Sequence, residues 1–79
     1  MNVVNPYDYG TQKYRILELL RLGPVTNRDM VQGLSVYKYT GRIFEIREDL
    51  KFQDLDITVK PLGGGLYEYR IARAQGELF

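Results

Sequence analysis

The sequence contains no cysteine and no histidine. The first absence excludes a disulfide framework and thiolate metal sites, and the second removes the commonest metal ligand and general base. Neither a metal, a cofactor nor an enzymatic activity is therefore expected. No apolar run approaches bilayer-spanning length, and the opening MNVVNPYDYG lacks the basic start and apolar centre of a signal peptide. These absences predict a cytoplasmic protein with no membrane partner. An excess of charge of one sign is also missing: eleven basic and ten acidic side chains leave a formal net charge of +1, so any electrostatic footprint for nucleic acid must be local. Internal repeats and low-complexity tracts do not occur.

What remains, 79 residues with 44% apolar content, suits one small domain with a modest core. Residues 1–10 have no period and read as an arm. Thr11 is the expected N-cap of a first helix whose Ile16, Leu17, Leu19 and Leu20 share one arc, and Gly23-Pro24 stops it. Pro24 and Val25 suit a very short strand. Thr26 is a second N-cap, opening a helix from Asn27 to Gln32 with Asp29 at its positive end and Met30 and Val31 turned inward. Gly33-Leu34 is the expected turn and Ser35 the cap of a third helix, in which Val36, Tyr39, Ile43, Ile46 and Leu50 form one stripe at one hundred degrees per residue. LDITVK and LYEYRIA then alternate as strands around PLGGG, with Tyr67, Tyr69 and Ile71 on one face.

Helix, short strand, helix, turn, helix and hairpin is the order of an α+β winged helix-turn-helix domain, expected over residues 11–73 and followed by a tail at 74–79. With the core stripe of the third helix inward, Lys38, Gly41, Arg42, Glu45 and Asp49 project to the other side, bordered by Tyr37 and Phe44. A helix in the major groove of double-stranded DNA needs cations near its start and side chains that read base edges along one face. Tyr37, Lys38, Gly41, Arg42 and Glu45 are accordingly the expected base contacts, with Glu45 accepting from cytosine N4 or orienting Arg42. Gly41 costs about 1 kcal/mol against alanine in a helix interior and permits close approach. Arg28, Lys60, Arg70 and Arg73 are the expected contacts to the DNA backbone. The plainer reading is a solvated face with intrahelical ion pairs. Arg47 projects nearer the core and is expected to cover apolar surface or pair with an acid such as Asp56.

ILELLRLGPVTNRDM followed by YKYTGRIFEIR resembles a family of small winged helix-turn-helix proteins of bacteriophages and prophages. Their recognition helix often carries R-I-x-E-[LI]-R, which here is Arg42-Ile43-Phe44-Glu45-Ile46-Arg47. The likeness runs over about residues 12 to 72 and implies DNA binding in phage transcription, replication or recombination. The chain departs from the pattern at EDLKFQDLDI, where family members commonly have a glycine and a short basic step.

The terminal Gln75-Gly76-Glu77-Leu78-Phe79 resembles the pentapeptide, approximately Q-x-x-L-F, by which bacterial replication and repair proteins bind the sliding clamp. That resemblance implies Leu78 and Phe79 in an apolar pocket with Gln75 at its rim. The alternative is that Leu78 and Phe79 fold back onto a small core. A third reading, a phage inhibitor of a host DNA-binding protein, draws on Glu45, Glu48, Asp49, Asp54 and Asp56 lying close together in sequence.

The tyrosines Tyr7, Tyr9, Tyr14, Tyr67 and Tyr69 have spacings that suit a core with hydroxyls at its rim better than base stacking. GGG at residues 63 to 65 precedes no Lys-Ser or Lys-Thr helix, so it is a turn and not a phosphate loop. A second copy of the chain is a further candidate partner, since one recognition helix buries little surface and dimers read paired half-sites.

Overall fold

In the computed structural model, which describes residues 3–74, the first helix, α1, spans Gln12–Leu22. Thr11 caps it: its Oγ1 accepts from the Tyr14 amide at 3.2 Å and satisfies one of the four N–H groups that lack an intrahelical partner. Ile16, Leu17 and Leu20 recur on one arc and are buried. After Gly23-Pro24 the chain pairs briefly as β1, Val25–Thr26.

Thr26 and Asp29 then satisfy one another. Thr26 Oγ1 accepts from the Asp29 amide at 3.0 Å, and Asp29 Oδ2 accepts from the Thr26 amide at 2.9 Å. This reciprocal cap opens a short helical segment that widens into a π-helical turn over Asp29–Gly33, from which Met30 is wholly buried. The turn closes with the Leu34 amide on the Asp29 carbonyl at 3.2 Å and the Val36 amide on the Met30 carbonyl at 2.8 Å. Ser35, between them, sits in the left-handed region at φ 57.

That closure corrects one expectation. Ser35 does not cap the next helix, because a residue committed to a left-handed closure cannot take the extended conformation of an N-cap. The helix, α2, spans Tyr39–Leu50, and Lys38 before it provides no side-chain cap. Val36 is buried all the same, so the stripe Val36, Tyr39, Ile43, Ile46 and Leu50 faces the core, with Tyr39 half-buried. Burying each such aliphatic side chain contributes about 1.5 to 3 kcal/mol before the entropy of ordering it.

A single 3-10 turn, Lys51–Gln53, leads through Asp54 at φ 56 into β2, Leu55–Gly63, and then β3, Leu66–Arg73. The sheet is antiparallel with order β1-β3-β2. Ile57 pairs with Ile71, Val59 with Tyr69 and Pro61 with Tyr67, which puts Tyr67, Tyr69 and Ile71 on one face. β2 runs beyond the alternating LDITVK because Leu62 is accommodated as a bulge between Pro61 and Gly63. Gly64 and Gly65 turn the hairpin with φ 62 and 81, the primed geometry that matches strand twist and that L side chains resist.

Helix α1 packs on α2 and β3, and α2 packs on β2. The base of the hairpin is core, through Leu55, Ile57 and Tyr69, whereas residues 58 to 65 are exposed. The molecule is therefore an α+β fold whose projecting hairpin is compatible with a wing. The arm lies against this body. Val3 is buried, the Val4 amide and carbonyl bond the Gln53 side chain at 2.9 and 2.8 Å, and Asn5 Nδ2 donates to the Tyr14 carbonyl and the Glu18 carboxylate. Among the tyrosines, Tyr69 is buried and Tyr7 is half-buried against the core, but Tyr9 is 87% exposed and leans on Tyr14 at a centroid distance of 5.1 Å. No helix among the described residues is long and apolar enough to cross a membrane.

Candidate nucleic-acid interface

The surface singled out by the sequence divides into an outer face and two flanks once α2 is placed. On the flank toward α1, Arg42 is half-buried, its Nε donating to Gln12 Oε1 at 3.0 Å and its Nη1 lying 3.4 Å from Glu45 Oε1. Lys13 Nζ is 3.8 Å from the same Glu45 oxygen and stands 4.9 Å above the Tyr7 ring. The Tyr7 hydroxyl donates to Asp49 Oδ2 at 2.6 Å. Burial and the carboxylate beside it push the Tyr7 phenol well above its ordinary range. Gln12, Arg42, Glu45, Lys13, Tyr7 and Asp49 thus form a polar seam that bolts α2 to α1 and the arm.

Asp49 is consequently not on the outer side, where the simple projection of the helix puts it. Two neighbouring elements cover this flank, so the outer strip is narrower than half a helix. On the other flank Arg47 pairs with Asp56 as expected, Nε to Oδ1 at 2.9 Å, and this guanidinium, followed by the Ile57 amide, holds the Asp56 carboxyl below the usual carboxylate range.

Tyr37 and Lys38 just before α2, and Gly41, Phe44 and Glu48 on it, are left exposed on the outer side, with Glu45, exposed but paired, at the edge of the seam. Tyr37 is 73% and Phe44 61% exposed. Lys38 makes no ion pair among the described residues, and Glu48 pairs with Lys51 at 3.0 Å. A Cβ built on Gly41 meets nothing within 4 Å, so the missing side chain opens a gap toward solvent and not toward a neighbouring element. Tyr37, Lys38, Gly41 and Glu45 are therefore all exposed, whereas Arg42 is half-buried and already engaged.

Of the four expected backbone contacts, Arg28, Lys60 and Arg73 are exposed and carry no ion pair among the described residues, while Arg70 Nε lies 3.0 Å from Glu68. Gln75, Leu78 and Phe79 lie outside the described residues. Three of the carboxylates expected in an acidic docking surface are already engaged: Asp49 accepts from Tyr7, Asp56 pairs with Arg47 and Glu48 with Lys51.

One positioning residue left no trace in the sequence. Asn27 Nδ2 donates to the Gly65 carbonyl at 3.0 Å, and its Oδ1 accepts from the Tyr67 amide at 3.0 Å. The same Nδ2 is 3.5 Å from the Tyr39 hydroxyl, in the first turn of α2. One amide thus ties the tip of the hairpin beside the start of α2. Its partners are 38 and 40 residues distant, so no local pattern could announce it. A shallow cleft of about 260 Å³ opens next to it, lined by Arg28, Gln32, Gly64 and Gly65 among others. A larger apolar depression of about 590 Å³ lies between Leu19, Leu22, Pro24, Val25 and Leu34. Asp29, which lines it, accepts from the Thr26 amide as part of the reciprocal cap. No protein-family model, no curated protein and no solved structure matches this chain.

Proposed function

We propose that this chain is a winged helix-turn-helix domain that binds double-stranded DNA, with α2 in the major groove and the β2–β3 hairpin along the adjoining backbone. The observation that carries this reading is the Asn27 bridge, which holds the hairpin tip and the first turn of α2 side by side. A groove-binding helix contacts bases mainly through its N-terminal residues, and a neighbouring wing reaches flanking phosphates. Lys38, with no carboxylate partner among the described residues, supplies the cation at the helix start. Gly41 lets a base edge approach the backbone, and Tyr37 flanks it. Arg42 reaches the groove by giving up Gln12, while Glu45 either steadies Arg42 or accepts from cytosine N4. Arg28, Lys60 and Arg73, and Arg70 on release from Glu68, lie outside α2 and serve the phosphates. A regulator encoded by a phage or mobile element fits this arrangement and the resemblance of residues 12 to 72.

Anisotropy titration against random duplexes at two salt concentrations tests the reading. Binding should fall steeply as salt rises, and Lys38→Ala/Arg42→Ala should reduce it. Against a selected site, Arg42→Ala should cost about 1 to 3 kcal/mol and relax one base position, whereas Lys60→Ala should weaken all sequences alike. Equal loss in both variants on every sequence would overturn that division of labour. The second reading, docking to a basic protein surface, is favoured by Phe44, Glu45 and Glu48 on the outer face of α2 and by Phe52, 94% exposed, just past its end. Absence of duplex binding at low salt selects it.

A further inference from the structure

Phe44 lies along one edge of the outer face of α2, one turn after Gly41 and one residue before Glu45. It does not serve the core: Ile43, Ile46 and Leu50 close that side of the helix and are buried, while Phe44 remains 61% exposed. The gap at Gly41 lies immediately N-terminal to the ring, and a side chain on a helix leans toward its N-terminus, so the ring borders the place where a base edge can come closest to the backbone.

A phenyl ring has neither donor nor acceptor in its plane. Seated against the N4 amine of cytosine, the O6 or N7 of guanine, or the N6 amine of adenine, it would desolvate a polar group without replacing its hydrogen bond. Thymine alone among the four bases carries a methyl group in the major groove, an apolar projection larger than the C5–H of cytosine. We propose that Phe44 is a specificity-determining residue that packs on a thymine 5-methyl in the major groove, with Gly41 providing the room for that contact. This inference rests on the DNA-binding reading above and adds a base preference that none of the charged residues on the face supplies. Lys38 and Arg42 favour guanine and Glu45 favours cytosine, so none of the three selects thymine.

The test alters the DNA first and the protein second. The duplex that the full chain selects from a random pool is resynthesised with each thymine replaced in turn by deoxyuridine, which removes the methyl group and keeps every hydrogen-bonding atom. At one or two positions the replacement should weaken wild-type binding about fourfold, the size expected for one buried methyl. Phe44→Ala, checked for an unchanged circular dichroism spectrum, should bind the thymine and deoxyuridine duplexes equally at those positions. Methyl dependence that survives in Phe44→Ala, or a selected site at which no replacement matters, overturns the assignment while leaving DNA binding intact. Failure of the pool to yield any bound duplex at low salt overturns the DNA-binding reading and this inference together.

Discussion

On the flank of α2 that meets α1, Arg42 and Asp49 are engaged by Gln12 and Tyr7, and on the flank that meets the sheet Arg47 is engaged by Asp56, whereas Tyr37, Lys38 and Phe44 between them have no polar partner among the described residues. The flanks are built of paired charges, and the strip between them carries one cation and two exposed aromatic rings. Charges on the flanks hold the helix at a fixed rotation, and the strip between them is what the rest of the fold leaves available. A charged residue on a helix thus cannot be assigned to binding until its neighbours across the seam are known.

The comparison breaks most visibly in the core beneath it. Ile46→Ala should lose about 2 to 5 kcal/mol in denaturant unfolding, because a fully buried side chain leaves a cavity. Phe44→Ala, two residues away, should change stability by less than about 0.5 kcal/mol. Asn27→Ala should come next, at about 1 kcal/mol for its bonds to the hairpin, with faster amide exchange at Tyr67 as the local signature. An unaltered Tyr67 exchange rate would show that the hairpin is positioned by its base alone.

The Arg47–Asp56 pair should contribute less again. Both side chains are more than a third exposed, so a double-mutant cycle should return under about 1 kcal/mol. Its pH dependence has a defined sign. Because the Asp56 carboxyl is held below its ordinary value of 3.8, the stabilisation is present above that value in the unfolded chain and disappears as pH falls through the lower folded value. Arg47→Ala should therefore flatten the acid limb of the stability curve. Lys38→Ala should give the smallest stability change of all, within about 0.5 kcal/mol, yet weaken duplex binding and lower its salt slope by about one. A stability loss in Lys38→Ala comparable to that of Arg47→Ala would erase the distinction between the outer strip and the flanks.

Much of this fold is legible in the sequence because its boundaries are set locally. Thr11 and Thr26 cap where their side chains reach amides three residues ahead, and the alternation of Tyr67, Tyr69 and Ile71 survives as one face of β3. The start of α2 is different. Glycine at 33 suggests the left-handed residue of the turn, but the widened π turn delivers that conformation two residues later, at Ser35. Hydrogen-bond width inside a turn is decided by how Met30 and Val36 seat in the core, which a periodic pattern does not encode. The site is legible to the same degree. The exposure of Gly41 and the Arg47–Asp56 pair follow from helical geometry, but the capture of Arg42 by Gln12 and of the hairpin by Asn27 depends on contacts 30 to 40 residues apart.

The bulge in β2 has a bearing on the protein at high concentration. β2 is the outermost strand of its sheet, and an open strand edge is a template on which another chain can add and from which fibrils can grow. Pro61 has no N–H to offer an incoming strand, Lys60 beside it repels its own copy, and the extra residue Leu62 breaks the register that stacking requires. β1, at the opposite edge, is only two residues long. The same few residues that shape the hairpin therefore also keep each molecule's sheet from extending into its neighbour's.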